Sequence, residues 1–442
     1  MSSFIRNSKF RHVYVEGAKN EDMYRNFRLS TATGEQQYIK GNCKYFAVAL
    51  QGGGGPIAVV DYEQKGAYPT GAPVLAGHKG AVLDFDFNPF HDDVLASCSD
   101  DSTIKVWAFP GGLTETITEP VVDLHGHGRK VTLLKFHGTA DNVLASASAD
   151  QLVKVWDIEK QSEVANVGAH GGLIQDLQWD ATGARLGTTC KDKKVRLLDP
   201  RSGAGAEIDK PHEGSKAVKL AFLGDTGLVA TVGFTRQSQR QLKIWDERDT
   251  SKELHCIGID QAAGVLLPFF DPDTKMLYLT GKGDGNVRYY EINRSAKTPV
   301  FALSEYKSNK AGKGYCFVPK RKLDVMRCET ARCLKLTSDN GVGVVEPLSF
   351  IVPRKSDAFQ DDIFPDTYAG VPSATADEYL AGADNPPKTT PLNPDARGPA
   401  NGHAKKAFVA MKTAPQLTAE LDEARKRIAD LEAKLAAAGI AY

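Results

Sequence analysis

No apolar run in the 442-residue chain reaches the roughly 18 residues that a membrane-spanning helix needs, so the sequence predicts no transmembrane segment. The opening stretch, MSSFIRNSKFRHVYV, lacks the apolar core of a secretion signal. Net charge is missing too. Lys+Arg and Asp+Glu both number 55, so no global field draws the chain onto nucleic acid or an anionic membrane. Charge-guided binding must come from local patches. Cysteine is sparse and odd in number. Seven scattered residues without a secretion signal predict reduced thiols in a cytoplasmic protein.

The marks of catalysis are absent as well. There is no Gly-x-x-x-x-Gly-Lys phosphate loop, no Gly-x-Ser-x-Gly elbow and no His-Glu-x-x-His helix. GKGDG at Gly281–Gly285 and GGGGP at Gly52–Pro56 fall between strand-like runs and read as hairpin turns. Cys328 and Cys333 have no second Cys/His pair nearby, which argues against zinc. The expectation is a protein that is no enzyme, with no cofactor and no metal.

What is there is a repeat. LAGHKGAVLDFDFNPFHDDVLASCSDDSTIKVWAF runs from Leu75 to Phe109, and related stretches begin at His127 and His170. Weaker copies end at Trp245 and near Tyr290. The end residues Trp107, Trp156, Leu198, Trp245 and Tyr290 are separated by 49, 42, 47 and 45 positions. That period, with Gly-His and Trp-Asp signatures, is expected of four-stranded propeller blades. IKVW, VKVW, VRLL, LKIW and VRYY alternate apolar with basic residues, a period of two.

Within a blade, His and Asp hold fixed places: His78, Asp101 and Trp107; His127, Asp150 and Trp156; His170 and Asp192 before Leu198. Together with a nearby Ser (Ser97 or Ser99 in the first copy), such residues can form a hydrogen-bonded chain capped by the indole N–H. One His per blade cannot converge on a metal, so the pattern is structural. The basic residues Lys105, Lys154, Arg196, Lys243 and Arg288 occupy equivalent places, which aliphatic stems packing between blades would explain.

Five copies do not close a ring, but both flanks supply strands. KYFAVAL and IAVVDY form a hairpin upstream; KGYCFVPKR, CLKLTS and VVEPLSFIVP follow downstream. The sequence predicts an all-β, seven-bladed WD40-type β-propeller, with six blades the rival count. An N-terminal strand from about Phe10 to Val15 is expected to complete the last blade, since open sheet edges invite aggregation. The expected domains are the propeller at 1–352, a packed C-terminal extension at 353–382, a flexible Pro-rich linker at 383–414 and a coiled-coil helix at 415–440. Phe359, Ile363, Phe364, Tyr368, Tyr379 and Leu380 make the extension too apolar for a disordered tail.

In the last segment Leu417, Leu421, Ala424, Ile428, Leu431, Leu435 and Ala438 are spaced 4, 3, 4, 3, 4, 3, a heptad seam that points to self-association. In a parallel coil Glu420 would meet Arg425 and Arg427 would meet Glu432, each exposed pair contributing about 0.3–0.5 kcal/mol. Ile and Leu on the seam lean towards two strands, and two Ala also suit antiparallel packing.

Longer stretches are more specific than the repeat. SKFRHVYV, YRNFRLS at Tyr24–Ser30, KDKKVRLLDPR at Lys191–Arg201, GVLLPFFDPDTKMLYLTGKGDGNVRYYE at Gly264–Glu291 and VPRKSDAFQDDIFPDTYAG at Val352–Gly370 resemble the coronin family over roughly residues 1 to 375. The resemblance is to its short class with one propeller, although the linker here is brief. It implies binding to filamentous actin without enzymatic activity, modulation of Arp2/3-dependent branching, cofilin as a further partner, and a place in the cytoplasm at the cell cortex. Arg28, in YRNFRLS, matches the family's actin-contacting Arg. RIADLE at Arg427–Glu432 resembles a trimer motif of the family, which ranks trimer first, then dimer, then tetramer.

An actin-binding surface needs complementary basic groups. The N-terminal region offers Arg6, Lys9, Arg11, Arg25 and Arg28, and the late region Lys320, Arg321 and Lys322. If the ring closes in this way, the two chain ends meet in adjoining blades, and these residues are expected to make one patch. The alternative function is that of a general WD40 scaffold or adaptor for another complex.

Overall fold

Alternating apolar residues place the strands, and the chain winds them into seven radial sheets. The computed structural model describes residues 8–34, 37–168, 170–339 and 341–396, with helical positions 421, 422, 424–429, 431 and 434. Five blades have four antiparallel strands each, beginning at Val82, Val131, Ile174, Lys219 and Leu266. These are blades 2 to 6. Blade 1 has three strands, Ile39–Gly41, Tyr45–Ala49 and Ile57–Asp61. Small residues such as Ala96, Ala145 and Ala147 are fully buried, which lets neighbouring blades pack closely.

Blade 7 closes the ring. Its strands Gly312–Phe317, Glu329–Asp339 and Val342–Ile351 are completed by two N-terminal strands laid end to end along Val342–Ile351. Tyr14–Gly17 pairs with Leu348–Ile351, and Tyr24–Phe27 pairs with Gly343 and Val345. Closure therefore begins at Tyr14 rather than Phe10. Phe10 and Val13 are instead core residues beside Tyr278, Tyr289 and Phe350. Gly66–Ala67 then joins Tyr24–Arg25 in parallel, which draws the fourth strand of blade 1 onto blade 7.

Strand direction defines two ends of the ring. The upper end carries the connections between blades and the turns from second to third strand. The lower end carries the other two turns. The C-terminal extension crosses the lower end. Ile363 and Phe364 bury in the core shared by blades 6 and 7. Tyr368 Oη donates to the Gly138 carbonyl at 2.8 Å in blade 3. A short helix, Ala376–Leu380, starts on a Thr375–Glu378 capping box and seats Tyr379 on blades 3 and 4. The path returns through Thr389–Thr390, paired with Thr367–Tyr368, to buried Leu392. Packing thus continues to Leu392, nine residues past the expected linker start at 383.

Leu421, Ala424, Ile428 and Leu431 are exposed on helical backbone. Leu417, Leu435 and Ala438 of the proposed seam, with Glu420 and Glu432, lie outside the described residues. So do Arg6 and most of the linker. Among the described residues no helix is long and apolar enough to cross a membrane.

Candidate functional site

The repeat's polar residues form chains inside the blades. In blade 2, Trp107 Nε1 donates to Ser97 Oγ at 2.9 Å, Ser97 Oγ lies 2.8 Å from His78 Nε2, and His78 Nδ1 lies 3.0 Å from Asp101 Oδ2. Ser97, not Ser99, is the relay. Blade 3 repeats this through Trp156, Ser146, His127 and Asp150 at 2.8, 2.8 and 2.9 Å. Burial raises the cost of the charged Asp150, but the bonds from His127 and from the Leu152 and Gly128 amides hold its pKa below the usual value.

Blade 4 departs from the pattern. His170 Nε2 meets Thr188 Oγ1 at 2.9 Å, but Nδ1 faces the Gly168 carbonyl at 3.2 Å. Asp192 turns to Arg196, 2.7 Å away, so the expected His170–Asp192 link is replaced by an ion pair. A guanidinium four residues on outcompetes the neutral imidazole for the carboxylate.

The strand-borne basic residues are also ion-paired, which corrects their reading as packing stems alone. Lys105 meets Asp123 at 2.5 Å, Lys154 meets Glu163, Arg196 meets Glu207 at 3.0 Å, Lys243 meets Glu253 at 3.6 Å and Arg288 meets Glu305 at 3.0 Å. These carboxylates come from the outer strand or the chain leading to it, so the pairs staple the outer strands on. Their positive charge is committed within the blade.

The basic residues offered as one patch divide between the two ends. Phe27 pairs with Gly343, at the upper end of Val342–Ile351, so Arg28 follows onto the upper end. Lys320, Arg321 and Lys322 follow Gly312–Phe317, whose Phe317 aligns through Cys333 with Leu348, near the lower end. The single patch therefore does not form. Both groups belong to the closing blade rather than to adjoining blades, and the blade's full height separates them.

The lower group is also engaged. Lys320, nearly buried, bonds to Asp271 and lies 3.7 Å from Asp273. Arg321 packs its guanidinium closely against Gly370 of the extension. Lys322 pairs with Glu63 at 3.2 Å. Lys9 donates to the Asp362 carbonyl at 2.8 Å, and Arg11 is exposed on the approach to the lower end. Arg25, half-buried, donates to Asn20 Oδ1 at 3.0 Å.

Arg28 is different. It is exposed, and Nε donates to Gln51 Oε1 at 3.3 Å. Gln51 opens the glycine-rich turn of blade 1, whose Gly54 carbonyl accepts from the His78 amide at 3.0 Å. Lys79 comes next and is exposed, and Arg129 and Lys130 hold the matching connection into blade 3. Sequence reasoning missed these three. The usable signal was their place immediately after the repeat's His, always an upper connection.

A WD domain, G-beta repeat model matches residues 72–108 and 118–157, a type of WD40 repeat matches 345–387, and a domain of unknown function, DUF1899, matches 3–67. The chain is 42% identical to Coronin-A of Dictyostelium discoideum over 98% of its own length and 97% of that protein's. The chain belongs to the coronin family. The coronin-like protein crn1 of Schizosaccharomyces pombe is 40% identical over 87% of this chain and 64% of its own length. The crystal structure of the WD40 domain from Toxoplasma gondii coronin superposes with a TM-score of 0.81 at 32% identity, over 87% of this chain and 98% of that one.

Proposed function

We propose that this coronin binds actin filaments through the upper end of its propeller, centred on Arg28. The observation that carries the reading is an exposed guanidinium held by Gln51 on a rim that also presents Lys79, Arg129 and Lys130. Exposed cations of this kind steer encounter with an acidic partner and fix its orientation. The lower end is a poor candidate, because the extension crosses it and Lys320 and Lys322 are ion-paired there.

The heads are joined by the C-terminal helix, a trimer first and a dimer or tetramer after it, so that one assembly holds several filament sites at high effective concentration. The exposure of Leu421, Ile428 and Leu431 supports this, since a helix with a bare apolar stripe gains by pairing. Filament crosslinking, modulation of Arp2/3-dependent branching, contact with cofilin and a cortical location in the cytoplasm belong to the same reading. The protein acts by binding and not by catalysis.

Sedimentation of the full chain with purified actin filaments tests it. The chain should pellet with filaments, and Arg28→Asp should leave it in the supernatant. A chain that never pellets would point instead to the scaffold alternative.

A further inference from the structure

A second basic feature lies on the upper end across the ring from Arg28, between blades 4 and 5. Lys191, Lys193 and Lys194 face His212 and Lys216 over a shallow depression that opens to solvent. No carboxylate lines it. Lys194 is paired with Glu207 at 2.7 Å. The other lysines keep their charge. Lys193 Nζ donates to the Glu213 carbonyl at 3.1 Å and Lys216 Nζ to the Ala263 carbonyl at 2.7 Å, both neutral acceptors, while Lys191 has no ion pair among the described residues. Glu213, the acid on the connecting loop, is turned to Arg236 at 3.2 Å.

The repeat explains why this place is short of negative charge. In blades 2, 3 and 4 the amide following the His donates to the motif carboxylate: Lys79 to Asp101, Gly128 to Asp150 and Gly171 to Asp192, at 2.7, 3.0 and 3.1 Å. Blade 5 has Gln239 at the corresponding spacing before Trp245, and its hairpin is extended by the pair Phe234 and Arg240. His212 is therefore left incomplete. Trp245 Nε1 donates to Thr231 Oγ1 at 2.9 Å, and Thr231 Oγ1 lies 3.0 Å from His212 Nε2. His212 Nδ1 is buried without a hydrogen-bond partner. His212 is 2% exposed, so this unpartnered ring nitrogen costs stability unless a ligand meets it. The Ser215 amide on the same loop has no partner among the described residues either.

We propose that this pocket binds a ligand bearing more than one phosphate group. Converging lysines act as point charges suited to phosphate, and neutral donors beside them add hydrogen bonds that an apolar ligand could not use. Recognition rests on the phosphate groups, which a soluble inositol polyphosphate or a phosphoinositide headgroup would supply alike. This site stands independently of filament binding.

Calorimetric titration of the full chain with inositol hexakisphosphate, alongside flotation with vesicles containing phosphatidylinositol bisphosphate, tests the proposal and separates the two sources. Binding of either probe should weaken by about tenfold or more in Lys191→Glu with Lys216→Glu, the loss of two charged hydrogen bonds. Lys79→Glu with Arg129→Glu, an equal charge change on the same end, should alter it far less. Melting curves confirm that both variants fold. Binding of the soluble probe supports a free ligand, and binding of vesicles alone supports a headgroup. Equal weakening by both variant pairs, or no binding of either probe to the unaltered chain, overturns the site.

Discussion

Arg28 Nε donates to Gln51 Oε1 across 3.3 Å, joining the segment that completes the last blade to the turn of the first. The contact crosses the seam of the ring yet leaves most of the guanidinium in solvent. Orientation of the cation and closure of the ring are thus connected at one place.

Arg28→Asp should reduce sedimentation with actin filaments sharply while the melting temperature stays close to that of the unaltered chain, because exposed substitutions usually change stability by less than about 0.5 kcal/mol. A large fall in melting temperature would instead make Arg28 a structural residue.

Asp150→Ala removes the acceptor of His127 and of the Gly128 and Leu152 amides. The orphaned groups should cost about 1–3 kcal/mol. Denaturant titration measures this, and an unchanged midpoint would remove the stabilising role given to the repeat's polar chain.

Stability should fall on mild acidification. His137 is buried, and Nδ1 accepts from the Thr139 and Ala140 amides at 3.1 and 2.8 Å. Burial pushes its pKa down from 6.5 to about 4, and burial does the same to His212. The unfolded chain takes up protons below pH 6.5 that the folded chain refuses until about pH 4. The contribution is therefore fully present above pH 6.5 and is lost as pH falls towards 4. Asn88 occupies the corresponding place in blade 2 and accepts from two amides at 2.8 and 3.1 Å. His137→Asn should accordingly keep the turn and flatten the pH dependence seen in denaturant midpoints.

Tyr379→Ala should loosen the extension. The ring lies 4.5 Å from His137 and 4.8 Å from the Arg201 cation, centroid to group, and is buried. Truncating a buried aromatic costs about 3–5 kcal/mol. Limited proteolysis should then cut the extension early, while the unaltered chain resists.

Removing the chain from Pro415 onward should give a monomer by light scattering that still pellets with filaments but bundles them poorly. Undiminished bundling would assign crosslinking to the propeller itself.

Much of this architecture was legible because blades 2 and 3 repeat one polar chain at one spacing and blades 4 and 5 keep parts of it. The His, Asp and Trp positions marked the middle blades, and the heptad spacing marked the tail helix. The up-or-down sense of Arg28 was not legible. It depends on two N-terminal strands sharing one partner strand, with Tyr14–Gly17 taking the lower half and Tyr24–Phe27 the upper. A long-range register leaves no periodic trace in either segment. Asp192 shows a second limit, since its spacing matched the repeat but Arg196, invisible to that template, claimed it. The pocket lysines sit in connections, where no alternation marks which way a side chain points.

Because Tyr14–Gly17 and Tyr24–Phe27 both pair with Val342–Ile351, a segment made early by the ribosome waits for one made much later. A nascent chain can assemble its middle blades in turn, yet it carries an unmatched edge until synthesis passes Ile351. Premature termination there would release a molecule with raw edges at both sides of a gap, a natural substrate for chaperones.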